Sequence, residues 1–264
     1  MIFYFTATGN CLYVAKELDG KRISIPQVPA GQHFKASSIG IVCPIFGHDI
    51  PSNVREFLQH TTFETEYFYV ILTYGFCQGG ASTRLAAFLH EMGMDAQYIN
   101  VLKMVDNALP AFDIEHELAI DPEKKVDEHL AAIKADIAAH KQFIAQPTAW
   151  DIEYHKKFLE APFKLDPEED FRKKGRAMYQ VTDACVGCGI CVKICPRGCF
   201  VLSGGKAKQE MTHCVACLAC IHACPQRAIQ FTFPEKNPNA RYRNPHVTLA
   251  EIIEANRQNP GFQS

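Results

Sequence analysis

The chain reads as an α/β protein with a doubly wound parallel sheet, followed by a small α+β domain built around cysteines. Three observations predict this. Short, nearly continuous apolar runs alternate with helical patterns through the first 146 residues, the pattern of βαβ units whose helices cover both faces of a sheet. The loops after the best of these runs are rich in Gly and Pro. Nine of the twelve cysteines fall between Cys185 and Cys224. A chain of 264 residues holds one or two domains at about 100–200 residues each.

Residues 2–5 form the first strand. Thr6-Ala7-Thr8-Gly9-Asn10-Cys11 follows at once, and Leu12, Val14, Ala15 and Leu18 then recur at helical spacing. Residues 22–25 make a short second strand. Residues 39–43 are the third, leading into Pro44-Ile45-Phe46-Gly47-His48 and a helix after Pro51, with Ser52 or Asn53 as N-cap. The fourth strand, 67–73, is β-branched and aromatic. It runs into Tyr74-Gly75-Phe76-Cys77-Gln78-Gly79-Gly80 and a helix through Leu85, Phe88 and Leu89. Residues 98–102 are the fifth strand. Residues 121–143, without Gly or Pro after Pro122, read as one helix with Pro122 in its first turn. Residues 147–180 are a polar connector with a short helix near 152–159. Thr248-Leu249-Ala250-Glu251 is a capping box for a last helix that docks the tail. The predicted division is 1–146, 147–180, 181–235 and a tail at 236–264. In an open α/β sheet ligands sit beyond the carboxyl ends of the strands. The loops after the first, third and fourth strands therefore converge on one predicted site.

Composition narrows the function classes. An apolar fraction of 47% and a charged fraction of 21% exclude global disorder. A net charge of −2 argues against a nucleic-acid partner held by bulk charge. The longest apolar run, near 68–72, is far short of the roughly 18–20 residues of a membrane span. The amino terminus has no basic region and no cleavage site, so the expectation is a cytoplasmic protein. Residues 1–120 carry −5 and residues 181–264 carry +4. Two parts that attract each other or face different partners account for this split, and so do ordinary solvated surfaces.

The cysteines form an internal repeat. Cys185, Cys188, Cys191 and Cys195 recur 29 residues later as Cys214, Cys217, Cys220 and Cys224, with Pro196 and Pro225. Each copy reads C-x2-C-x2-C-x3-C-P, the bacterial-type iron–sulfur run whose fourth cysteine ligates the other cluster. Three cysteines at this spacing wrap one face of a cubane in a tight loop. The fourth lies too far along the chain to close the same tetrahedron, so it crosses over. The expected sets are Cys185, Cys188, Cys191 and Cys224 on one [4Fe–4S] cluster, and Cys214, Cys217, Cys220 and Cys195 on the other. Gly187, Gly189, Ala216 and Ala219 are small, as needed where backbone N–H groups approach cluster sulfurs. Zinc also takes four cysteines, but the doubled run is not a zinc pattern. Disulfides are not expected in a reducing compartment. Cys199, whose counterpart is Ala228, reads as a packing residue.

The first loop follows a strand and opens a helix, where hydroxyls and N–H groups cradle a phosphate. An ordinary turn capped by Thr8 or Asn10 is the alternative. Thr6-x-Thr8-Gly9-Asn10 is similar to the FMN phosphate loop of flavodoxins, and the cysteine run resembles that of bacterial two-cluster ferredoxins. Their order, with the loops at 44–47 and 73–76 and the tail at 241–246, resembles the flavodoxin–ferredoxin fusion proteins of anaerobic bacteria and archaea. Residues 104–180 are least covered. The resemblance implies a five-stranded flavodoxin-like sheet in order 2-1-3-4-5, with FMN at the loops after strands 1, 3 and 4. By position, Thr6, Ala7, Thr8, Gly9, Asn10 and Cys11 form the phosphate loop. Pro44, Ile45, Phe46, Gly47, Thr73, Tyr74 and Gly75 then line the ring, with Phe46 and Tyr74 as its aromatic neighbours. Gly47, Gly75, Gly79 and Gly80 let the backbone approach it.

Two departures bear on the flavin. Flavodoxins usually carry Ser or Thr at the position of Cys11, and a thiol is the poorer donor. The region of Gly79 and Gly80 lacks the acidic residues many flavodoxins place there. The implied function is electron transfer between FMN and two [4Fe–4S] clusters, and onward to a redox partner protein or a small-molecule acceptor. A flavin-dependent oxidoreductase fed by the clusters, and a flavin-free docking module, are the alternatives. His48 either donates to the ring or is a solvated loop residue, and His116, His129 and His140 read as surface residues. There is no H-E-x-x-H, G-x-S-x-G, Walker A or G-x-G-x-x-G motif.

Overall fold

The computed structural model describes residues 1–161, 178–210 and 213–257. Strand β1 (Ile2–Tyr4) leads into α1 (Asn10–Glu17). β2 (Arg22–Ser24), β3 (His33–Lys35), β4 (Ser38–Pro44), α2 (Ser52–Gln59), β5 (Thr62–Glu64) and β6 (Tyr67–Tyr74) follow. Then come α3 (Ala81–Glu91), β7 (Tyr98–Lys103), α4 (Ile114–Ala119), α5 (Val126–Ala138), β8 (Phe143–Ile144) and α6 (Ala149–Glu160). β2, β1, β4, β6, β7 and β8 lie side by side in that order, every neighbouring pair parallel. With its helices this is an α/β architecture. β4 and β6 are buried at nearly every residue, which is why their sequences lack alternation. The strand order reverses beside β1, and the loops after β1 and β4 open a crevice there.

The sheet has six strands where five are expected. β8 is an edge strand of two residues, held by Phe143 N–H to the Gln97 carbonyl (2.9 Å) and Ala145 N–H to the Ile99 carbonyl (2.8 Å). The single helix expected over 121–143 is interrupted instead. Asp121–Lys124 is a 3-10 turn, Lys125 takes a left-handed φ of 48°, and α5 runs only from Val126 to Ala138. Ser52 is the first helical residue of α2, preceded by Pro51 as N-cap. α4 and the parallel ribbon of β3 with β5 are additions to the expected elements.

The cysteine-rich part comprises β9 (Tyr179–Val181), α7 (Ile190–Ile194), β10 (Phe200–Ser203), β11 (Lys206–Gln209), α8 (Ala219–Ala223) and β12 (Ile229–Phe231). β9 pairs with β12 and β10 with β11, both antiparallel. The repeat is written into the backbone. Left-handed φ values occur at Gly187, Gly189 and Gly198, and again 29 residues on at Ala216, Leu218 and Arg227. The short helices α7 and α8 keep the same offset and pack together.

The tail ties the two parts. Tyr242 O–H donates to Asn10 Oδ1 (2.7 Å), and Asn244 N–H donates to the Thr8 carbonyl (2.8 Å). α9 (Leu249–Ala255) begins with the expected capping box. Lys16 pairs with Glu251 (2.7 Å), and Asn256 Nδ2 donates to the Ile194 carbonyl (3.0 Å). Arg197 reaches Glu56 across the junction (2.9 Å). One apolar core runs through both parts. No helix among the described residues is long and apolar enough to cross a membrane.

Candidate functional site

A cavity of about 620 Å³ opens at the carboxyl ends of the sheet strands, within the size range of ligand sites. Every residue of the three expected loops lines it except Gly9, Gln78, Gly79 and Gly80. Gly9 instead faces the tail. Its φ is 107°, and a Cβ there would stand 2.9 Å from the Asn244 Cβ. Gly79 packs against the His48 ring, and Gly80 precedes α3 beside Arg84 and Pro147. These two glycines shape neighbours of the cavity rather than its wall.

The first loop is tightly seated. Thr6, Thr8 and Asn10 are buried. Gly9 N–H donates to Thr6 Oγ1 (3.2 Å), and Asn107 Nδ2 donates to Thr8 Oγ1 (2.7 Å). Asn10 is held by Tyr242, by Asn244 and by the Val105 carbonyl. No side chain caps α1 at Gly9, and the first helical residues, Asn10 and Cys11, line the cavity. Cys11 is buried with its Sγ 3.1 Å from Thr73 Oγ1. Burial pushes its thiol up to about 12, so it is neutral.

Further walls come from the 74–80 loop and from segments with no motif. Phe76 and Phe112 join the expected Phe46 and Tyr74, and α6 contributes Tyr154 and Phe158. Asp106, beside Gly75, brings an acidic group to the wall. It accepts from Phe76 N–H (2.9 Å) and Ala108 N–H (3.0 Å). Burial pushes its carboxyl up to about 6. Gly75 makes room for it, since a Cβ there would stand 2.2 Å from the Asp106 Cβ. His48 is buried, not solvated, with φ 70° and Nδ1 3.1 Å from His155 Nδ1. Burial, then the His155 ring and Arg84, hold it down to about 4. His116, His129 and His140 are exposed.

The His48 shift predicts a pH dependence. Its folded pKa lies below its ordinary value of 6.5, so the unfolded chain binds more protons between about pH 4 and 6.5. Stability is therefore lost as pH falls through that window. His155, lowered by burial, adds in the same sense, whereas Asp106 opposes both. His48→Asn tolerates the left-handed backbone. It is expected to remove about 1 kcal/mol per pH unit from the slope of stability between pH 6.5 and 5. Urea midpoints measured anaerobically across that range check this, and an unchanged slope sinks it.

The cysteines fall into two neighbourhoods. Cys185, Cys188, Cys191 and Cys224 line one small cavity, and Cys191 feels the charges of the other three. Cys220 lies among Cys195, Cys217 and Cys214. Amide groups point at the sulfurs: Ala207 N–H to Cys185 Sγ (3.3 Å), Cys199 N–H to Cys195 Sγ (3.2 Å) and Ala228 N–H to Cys224 Sγ (3.2 Å). Cys195 is held down to about 7, first by the Cys199 side chain. The buried Tyr179 hydroxyl faces Cys214, Cys220 and Cys217; burial, then these thiols, push its proton affinity well up, and it is placed to donate to Cys214. Among the described residues, no three Cys, His, Asp or Glu are grouped as a single metal ion requires. Residues 215–218 of the second cysteine loop, Cys217 among them, line the large cavity opposite the strand-end loops.

Residues 132–237 match the family model described as a 4Fe-4S dicluster domain. No curated protein matches the chain. The carboxy-terminal part is thus ferredoxin-like, a domain type suited to iron–sulfur electron transfer. The match starts within α5, well ahead of the first cysteine of the repeat.

Proposed function

We propose that this chain passes electrons between an FMN held in the large cavity and two [4Fe–4S] clusters, and onward to a redox partner protein or a small-molecule acceptor. The observation that carries this reading is the shared wall. Cys217 of the cluster run and Thr6, Thr8 and Cys11 of the phosphate loop line the same cavity. Counted in chain order, the first five strands of the sheet lie 2-1-3-4-5, which supports the flavodoxin–ferredoxin fusion reading.

The residues present fit both groups. The Thr6 and Thr8 hydroxyls and the first-turn N–H groups of α1 suit a phosphate. Phe46, Tyr74, Phe76 and Tyr154 suit a flat aromatic ring. Cys185, Cys188, Cys191 and Cys224 are the ligand set of one cluster, and Cys214, Cys217, Cys220 and Cys195 that of the other. The buried Tyr179 hydroxyl, beside Cys214, Cys217 and Cys220, suits a donor to a ligand sulfur of that cluster. FMN supplies exchange of one or two electrons, and each cluster supplies one-electron steps. The chain's own part is to position and bury them. Amide N–H groups at Ala207, Cys199 and Ala228 offset thiolate charge. Asp106 is negative above about pH 6 and works against further negative charge in the cavity.

The test is an absorbance spectrum of anaerobically purified protein, with iron, sulfide and released flavin quantified. About eight iron, eight sulfide and one FMN per chain are expected for two [4Fe–4S] clusters and one flavin. Full iron without flavin, and none taken up on adding FMN, removes the flavin half of the reading.

A further inference from the structure

We infer that the two clusters act in a fixed order. The cluster of Cys195, Cys214, Cys217 and Cys220 faces the flavin, and that of Cys185, Cys188, Cys191 and Cys224 faces solvent and the partner. This rests on the electron-transfer reading above. Cys217 is buried and lines the large cavity together with Val215, Ala216 and Leu218. None of the first set lines that cavity; those four line a separate one. Cys188 is exposed, and its neighbour Val186 is 64% exposed. Cys220 also feels the charge of Cys191, so the two sets adjoin. Electron transfer weakens steeply with distance, so electrons leaving the cavity pass the buried set first and exit beside Cys188.

The shared wall has a second consequence. Ala216 and Leu218 hold left-handed backbone (φ 49° and 62°), which non-glycine residues keep only where the surroundings fix it. Cys214 and Cys217 anchor that loop to the second cluster. Losing this cluster therefore frees the loop and takes away one wall of the flavin site. Losing the first cluster does not. FMN binding and assembly of the second cluster are then linked, and linkage is reciprocal.

The experiment uses the full chain, purified anaerobically, as wild type, Cys214→Ala and Cys188→Ala. Iron is counted and FMN is titrated by flavin fluorescence. Cys214, unlike Cys217, is not itself in the cavity wall, so its loss acts only through the cluster. Cys214→Ala is expected to weaken FMN binding about tenfold or more, within the ordinary span of coupling between sites, and Cys188→Ala less than about twofold. Equal losses, or a larger loss in Cys188→Ala, overturn the order. A wild-type chain that takes up no FMN overturns the flavin reading beneath it instead. Should Cys214→Ala fail to fold, Leu218→Ala keeps every thiol and trims the same wall. It is expected to retain full iron and to bind FMN more weakly, and unchanged affinity overturns the proposal.

Discussion

Cys195→Ala is expected to lose about half of the iron and Cys199→Ala none of it, since only Cys195 belongs to a proposed four-thiolate set. The two thiols are both buried and four residues apart, so burial does not separate their roles. The repeat does. Cys199 N–H donates to Cys195 Sγ at 3.2 Å, as Ala228 N–H donates to Cys224 Sγ at 3.2 Å. Position 199 therefore serves its loop through the amide, which alanine keeps. The Cys199 thiol adds something its counterpart lacks. It sits beside Cys195 and Cys214, and these neighbours push its own proton affinity well up. Its one S–H proton lies within reach of either proposed ligand sulfur and of the Arg197 carbonyl (3.8 Å). Losing one such bond, worth a net of about 0.5–1.5 kcal/mol, moves a one-electron potential about 20–60 mV more negative. Iron and sulfide counts, with a potentiometric titration followed optically, check both halves. Full iron in Cys195→Ala with loss in Cys199→Ala would mean that the ligand sets are misassigned.

What the sequence made legible was what is local. Apolar runs gave β1, β4, β6 and β7, the first three buried nearly throughout, and a 29-residue recurrence of cysteines, prolines and small residues gave the cysteine repeat. Loops that directly follow strands also read well, because a strand end fixes where its loop starts. Residues delivered to the cavity from afar carried no such signal. Asp106, Phe112, Tyr154 and Phe158 look like ordinary polar and aromatic residues, and only the docking of their segments turns them inward. Val215 and Leu218 lie between the repeated cysteines and carry no signal of their own, yet they are cavity wall. Gly79 suggested close approach to a ring, and the ring it approaches is that of His48. The breaks around α5 fall at Lys125 and beyond Ala138, where no Gly or Pro marks them. The edge pairing of β8 and the contacts of Lys124 define them instead.

Lys124→Met is expected to destabilise the fold by about 3–5 kcal/mol, the cost of leaving one member of a buried ion pair alone. Lys124 Nζ lies 2.9 Å from Glu117 Oε2, with 4% and 9% of the two side chains exposed. Lys124 also donates to the Glu117 carbonyl (3.3 Å) and sits 3.6 Å from the half-exposed Asp121. The same Glu117 Oε2 accepts Asp106 N–H (3.1 Å), so the pair holds the loop that carries Asp106 into the cavity. Replacing both charges, as Lys124→Met with Glu117→Leu, is expected to recover most of the loss. A packed apolar pair is often no worse than a buried salt bridge. About 1 kcal/mol remains lost, because Asp106 N–H then lacks its acceptor. The penalty also depends on pH. Asp106 has a folded pKa near 6, above its ordinary 3.8, with Glu117 raising it and Lys124 lowering it. The native chain thus keeps a proton that the unfolded chain has shed, and the stability from this group falls as pH rises from about 4 to 6. Removing Lys124 raises that pKa further and extends the loss toward neutral pH. Urea unfolding at pH 5 and pH 7 should therefore find Lys124→Met more damaging at pH 7. A penalty below about 1 kcal/mol, the range of an exposed pair, would mean that solvent reaches this contact and that the Asp106 loop is fixed by other means.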